Sequence, residues 1–215
     1  DLVRSRGLGD VYKRQVIAGP GSGKTTVLTH RVRYLIERYG VNPSDILVIT
    51  FTKAAAEQMK LKFKGLSEGR NSAVTFGTFH AVFFTILKAA YNYSAHCIIK
   101  PQIQHEFVKD QMCRLELEYD DENEAVAGVL SEISCVKGED VNIDEYESRC
   151  IPPQSFRIMY RAYDDMLVRK HLIDFDDMIV QCRELLMQRE DYRRAWQNKY
   201  KYLSLIHISE PTRPY

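Results

Sequence analysis

The stretch Val16-Ile17-Ala18-Gly19-Pro20-Gly21-Ser22-Gly23-Lys24-Thr25-Thr26 runs from an apolar pair through a glycine-rich segment to a lysine and two hydroxyls. Glycines let the backbone curl so that successive N–H groups point at an anion, and a helix starting where the curl ends adds its positive end. Ala18, Gly19, Pro20, Gly21, Ser22, Gly23, Lys24, Thr25 and Thr26 therefore read as a phosphate cradle. Lys24 would reach the β- and γ-phosphates and Thr25 would hold Mg²⁺ through its hydroxyl, which makes these two the catalytic candidates. The first position of the pattern is usually glycine and here is Ala18. A flexible glycine turn is the alternative. The flank favours the cradle: Val27, Leu28, Val32, Leu35 and Ile36 recur at helical spacing, with Arg31, Arg33, Glu37 and Arg38 mostly on other faces.

Working outward, Gly40 and Asn42-Pro43-Ser44-Asp45 stop that helix and turn the chain. Ile46-Leu47-Val48-Ile49-Thr50-Phe51 is an unbroken apolar run of strand length, the kind that suits a parallel sheet covered on both faces. Thr52 to Met59 reads as a helix start, and Val74-Thr75-Phe76-Gly77-Thr78-Phe79-His80 as a third strand ending in a glycine bend. Val82, Phe83, Ile86, Leu87 and Ala90 give the next helix its apolar face. Alternating strands and helices predict an α/β fold.

From about His96 the pattern turns all-helical. Glu116, Glu118, Asp120, Asp121, Glu122 and Glu124 lack the ligand spacing of a calcium loop and read as a solvated helix end. Phe156, Met159, Tyr160, Tyr163, Met166 and Leu167 form a core stripe. Asp174 is placed as an N-cap, with Asp176 and Asp177 near the positive helix end and Met178, Ile179, Cys182, Leu185 and Leu186 facing inward.

At 215 residues the chain can bury a sizeable core, and its net charge of +1 confines any nucleic-acid site to a local patch. Five widely spaced cysteines without a CxxC pair point to free thiols in a reducing compartment. No run approaches a membrane span, so a cytoplasmic protein without membrane partners is expected.

Three blocks stand in order: Ala-Gly-Pro-Gly-Ser-Gly-Lys-Thr at 18–25, Thr-Phe-Thr-Lys-Ala-Ala-Ala-Glu-Gln-Met at 50–59 and Gly-Thr-Phe-His at 77–80. Together they resemble the superfamily 1A DNA helicases of the UvrD, PcrA and Rep type, over about Val16 to Leu203. Alanine at the first loop position is normal in that family. The resemblance implies a P-loop (RecA-like) parallel sheet with an inserted all-helical subdomain. Residues 16–95 and 171–203 would form the nucleotide-binding subdomain 1A, and 96–170 the helical subdomain 1B.

It further implies that Gly19 to Thr26 bind ATP and Mg²⁺, and that Thr50, Phe51, Thr52, Thr78, Phe79 and His80 line a track for single-stranded DNA. The chemistry is suitable, since aromatics stack on bases and hydroxyls hold phosphate oxygens without reading sequence. Burial against neighbouring helices is the alternative for Phe51 and Phe79, and a structural role for His80. The implied activity is ATP-driven 3′→5′ translocation that opens duplex at single-strand/duplex junctions. The motor portion of a helicase–nuclease subunit and a passive nucleotide- or DNA-binding module are the alternatives.

The family's Asp-Glu-x-x-Asp motif should follow Leu203, where Ser-Leu-Ile-His-Ile-Ser stands instead. Residues 1–15 and 204–215 resemble translated adapter sequence and are expected to lie outside the fold, and no glutamine motif precedes residue 16. The expectation is an incomplete motor that binds ATP and hydrolyses little of it.

Overall fold

The computed structural model describes residues 21–67, 73–139 and 141–206. They fall into two compact units, the first reaching Phe76 and resuming at Tyr202, the second spanning Gly77–Lys201. Ala18, Gly19 and Pro20 lie outside the described residues.

In the first unit, α1 (Lys24–Tyr39) ends at Gly40, whose left-handed φ of 62° lets its N–H reach the Ile36 carbonyl. Asn42 then caps a short 3-10 turn by accepting from the Ser44 N–H. Every residue of β1 (Ile46–Thr50) is buried, as the unbroken apolar run requires. Phe51, expected in the strand, has left it and is 54% exposed. The Thr52 hydroxyl accepts from the Ala55 N–H and opens α2 (Lys53–Leu66).

β2 (Thr75–Thr78) is shorter than the run 74–80 suggests, because the Thr78 hydroxyl accepts from the Ala81 N–H and the chain turns helical at Phe79. β3 (Tyr202–Leu205) pairs parallel with β1, from Ile46 opposite Tyr202 to Ile49 opposite Leu205, and the sheet order is β2-β1-β3. The boundary expected after Leu203 falls inside this strand. Ser204 and Leu205 belong to β3, and the Ile206 N–H donates to the Ile49 carbonyl while its side chain packs on the core of Val32, Ile46, Val48, Met59 and Phe63. Sheet pairing continues for as long as backbone partners are available, whatever the origin of the residues.

The second unit is helical: α3 (Phe79–Tyr91), α4 (Pro101–Arg114), α5 (Glu122–Glu139), α6 (Pro153–Arg169), α7 (Phe175–Gln188) and α8 (Glu190–Lys199). It holds two separate apolar clusters. One joins α4, α5 and α6 through Val108, Met112, Val129, Ile133, Phe156, Met159 and Tyr163, so the predicted stripe on α6 is core. The other joins α3 and α7 through Ile86, Leu87, Met178, Cys182 and Leu185. The α3–α7 cluster also takes in Tyr192 and Trp196 of α8, and these helices fall in the same unit as α4, α5 and α6.

Helical phase misassigned two side chains: Val27 and Ile179, expected inward, are 58% and 42% exposed. The acidic residues around Asp121 lie at the start of α5, where Asp121 Oδ1 accepts from the Glu124 N–H and Lys109 reaches Glu122 at 2.6 Å. The α/β class with parallel strand pairing is the one expected.

Candidate functional site

Gly21 and Gly23 have φ of +73° and +82°, a region that side chains with a Cβ rarely adopt, and a Cβ built on either meets nothing within 4 Å. Their bareness thus serves backbone direction rather than packing. Gly23 stands at the N-cap of α1 without a side-chain cap, no acidic residue occupies the first helical turn, and Lys24 is the first helical residue. Such a helix end carries a positive partial charge and unsatisfied N–H groups, the requirement for binding an anion. Lys24 and Thr25 are half-buried and Thr26 is exposed. The Thr29 hydroxyl donates to the Thr25 and Thr26 carbonyls at 3.0 and 2.9 Å, bracing this turn from inside.

At the carboxyl end of β1, Thr50 is fully buried and its hydroxyl donates to the Thr52 carbonyl at 2.9 Å. Thr50, expected on the DNA track, thus has its polar atom engaged within the chain, and it shapes the turn that presents Phe51 and Thr52. Both of these are exposed, Phe51 as a large apolar ring and Thr52 as the cap of α2.

In the second unit, Thr78 caps α3 as Thr52 caps α2, and neither helix has an acid in its first turn. Phe79 and His80 are half-buried on that turn. The Phe79 ring lies 6.0 Å from Phe83. The His80 ring stands edge-on to Phe175 at 5.3 Å and 78°. Phe175, 54% exposed at the first position of α7, was not among the expected site residues. Phe175 shares the helical phase of Met178 and Cys182, so periodicity places it inward, and its exposure follows from its place at the very start of the helix.

A second unanticipated group lies behind α7. The Lys137 side chain on α5 is only 4% exposed, and its ammonium contacts Asp164 at 3.0 Å, Asp174 at 3.0 Å and Asp177 at 2.7 Å. Burial pulls its pKa down, but Asp174, Asp177 and Asp164 together push it above the ordinary lysine value. Asp174 accepts from the Asp177 N–H as the expected N-cap, and also from Tyr163, which itself accepts from Gln104. In the sequence Lys137 continues the inward series Val126, Val129 and Ile133, an anomaly that periodicity alone could have exposed.

A glycine turn with positive φ, opening onto an uncapped helix beside a parallel strand pair, defines a phosphate-loop α/β protein. The chain belongs to the UvrD/REP helicase N-terminal domain family, whose model matches residues 11–206, taking in residues 11–15 and 204–206 of the stretches expected to be foreign. It is 30% identical over 207 residues to an ATP-dependent DNA helicase PcrA of Staphylococcus epidermidis, an alignment covering 91% of this chain and 27% of the relative. A probable DNA helicase II homolog of Mycoplasma capricolum is 29% identical over 197 residues, 88% of this chain and 27% of that protein. The PcrA of Staphylococcus aureus is 28% identical over 204 residues, with 91% and 27% covered. The chain therefore spans about a quarter of the length of these relatives.

Proposed function

We propose that this chain is the ATP-binding portion of a 3′→5′ DNA helicase, one that holds ATP in the loop ending at Thr26 and single-stranded DNA on exposed aromatics and threonine-capped helix ends. The observation that carries the reading is the Gly21–Gly23 turn opening onto the uncapped N-terminus of α1 with Lys24 at its first position. The names of the relatives, ATP-dependent DNA helicases, support it.

The residues fit a Mg²⁺-bound triphosphate: bare positive-φ glycines for close backbone approach, a lysine for phosphate charge and Thr25 as an oxygen ligand. Bound Mg²⁺ would neutralise charge on the β- and γ-phosphates. Lys24 binds and orients the phosphates, and the first turn of α1 adds N–H groups and its dipole. Hydrolysis also needs an oriented water, and the residues after β3 read Ile206-His207-Ile208-Ser209, with no Asp-Glu pair among them. We accordingly assign the 215-residue chain ATP binding without appreciable turnover.

For DNA, Phe51 supplies a stacking face, while Thr52 and Thr78 mark helix ends with positive partial charge where phosphate oxygens can sit. The helical unit adds two ring pairs near the start of α3, Phe79 with Phe83 and His80 with Phe175. Stacking on an aromatic face and contact with phosphate carry no base-edge readout, which agrees with a track indifferent to sequence.

Anisotropy of a labelled dT oligonucleotide tests this. Binding is expected to weaken with salt and to lose roughly 1–3 kcal/mol in Phe51→Ala, the size of one stacked base. Binding that ignores both salt and Phe51 would remove the DNA reading and leave a passive nucleotide module.

A further inference from the structure

The helical unit is held together by two apolar clusters that do not merge, one on α4, α5 and α6 and the other on α3 and α7. Apolar packing is non-directional and sets the angle between such bodies poorly. The Lys137 ammonium bridges them, reaching Asp164 on α6 and both Asp174 and Asp177 at the start of α7. Its three protons face three carboxylates, a directional arrangement that a hydrophobic substitute could not copy.

The start of α7 is pinned on its other side by backbone. The Ile173 N–H donates to the Cys97 carbonyl at 2.7 Å, and the Ile173 carbonyl accepts from the Ile99 N–H at 3.0 Å. Residue 174 caps the helix and residue 175 follows at once, so any rotation of this first turn carries the Phe175 ring with it. That ring is the one that stands edge-on to His80.

We propose that Lys137 is a positioning residue for the Phe175–His80 pair: its ammonium fixes the first turn of α7 so that the exposed Phe175 ring is held against His80. Lys137 acts through Asp174 and Asp177. The functional weight of the pair rests on the DNA reading above; the positioning itself does not. The helical insert thereby takes part in shaping a surface that the motif residues alone do not complete.

The test uses the whole 215-residue chain with labelled histidine and ¹H–¹³C spectra. His80→Gln identifies the His80 signal, and Phe175→Leu measures the shift that the neighbouring ring produces. Lys137→Met is expected to move the His80 signal toward its position in Phe175→Leu and to weaken dT-oligonucleotide binding about fivefold, with Lys137→Arg recovering most of both. Asp177→Ala keeps the Asp174 cap and is expected to do the same in smaller measure, so the outcome does not depend on Lys137→Met folding. A His80 signal unmoved in Asp177→Ala and in folded Lys137→Met overturns the proposal, whatever the oligonucleotide does. A His80 signal that follows Lys137 in a chain that binds no oligonucleotide upholds the positioning and removes only the DNA role.

Discussion

Asp177 illustrates how one residue can hold a helix start and still weaken the fold at neutral pH. Burial first, and then the Asp174 carboxylate, raise it to about 6 against the ordinary 3.8, while Lys137 opposes them and Asp164 adds to the rise. Below about pH 4 the proton is held in both the folded and the unfolded chain. Between about 4 and 6 only the folded chain keeps it, so Asp177's contribution to stability is lost as pH rises. Asn at this position stays neutral throughout. Urea unfolding should therefore show Asp177→Asn gaining on the wild type between pH 4 and 7, by an amount of order 1–3 kcal/mol, with little difference at the acid end. A gap that stays constant over that range would contradict the assignment. Single residues were also where sequence reading was weakest. Thr50 was expected on the DNA track because its block matched a motif, while its burial and the bond of its hydroxyl to the Thr52 carbonyl come from packing that no feature of local sequence reports.

Elements were more legible, because caps and periodicity are local. Gly40, Asn42, Thr52 and Asp174 each stop or start the element that their chemistry favours. Thr78 was the exception. Read as strand, it is both the last residue of β2 and the cap of α3, a double role that a threonine after an apolar run does not announce. Loss of the Thr78 hydroxyl in Thr78→Ala should cost about 1 kcal/mol in urea unfolding, and Thr78→Ser should restore most of it. Within the α3–α7 pair, Leu87 is completely buried, so Leu87→Ala should cost about 2–5 kcal/mol. An effect below 1 kcal/mol would mean that this second cluster is not a true core. Lys137 escaped notice because periodicity was used to find apolar faces, and a charge on such a face was never weighed against its distant partners, 37 and 40 residues along the chain.

On the scale of the whole molecule, the order of strands and helices conveyed the α/β class, but the grouping of helices depended on tertiary packing. The helices α3 and α7 pack on each other through Ile86, Leu87 and Met178, contacts between residues about ninety positions apart. β3 likewise holds Ser204 and Leu205 in the sheet, residues set aside for their resemblance to adapter sequence. The central claim concerns the phosphate loop, and equilibrium binding of a fluorescent ATP analogue with Mg²⁺, alongside phosphate release, addresses it most directly. The account predicts saturable binding that Lys24→Ala weakens by about ten- to a hundredfold, the loss of one charge-assisted contact, with phosphate release at the buffer rate in both proteins. Equal binding by the two proteins, or phosphate release that disappears in Lys24→Ala, would contradict it.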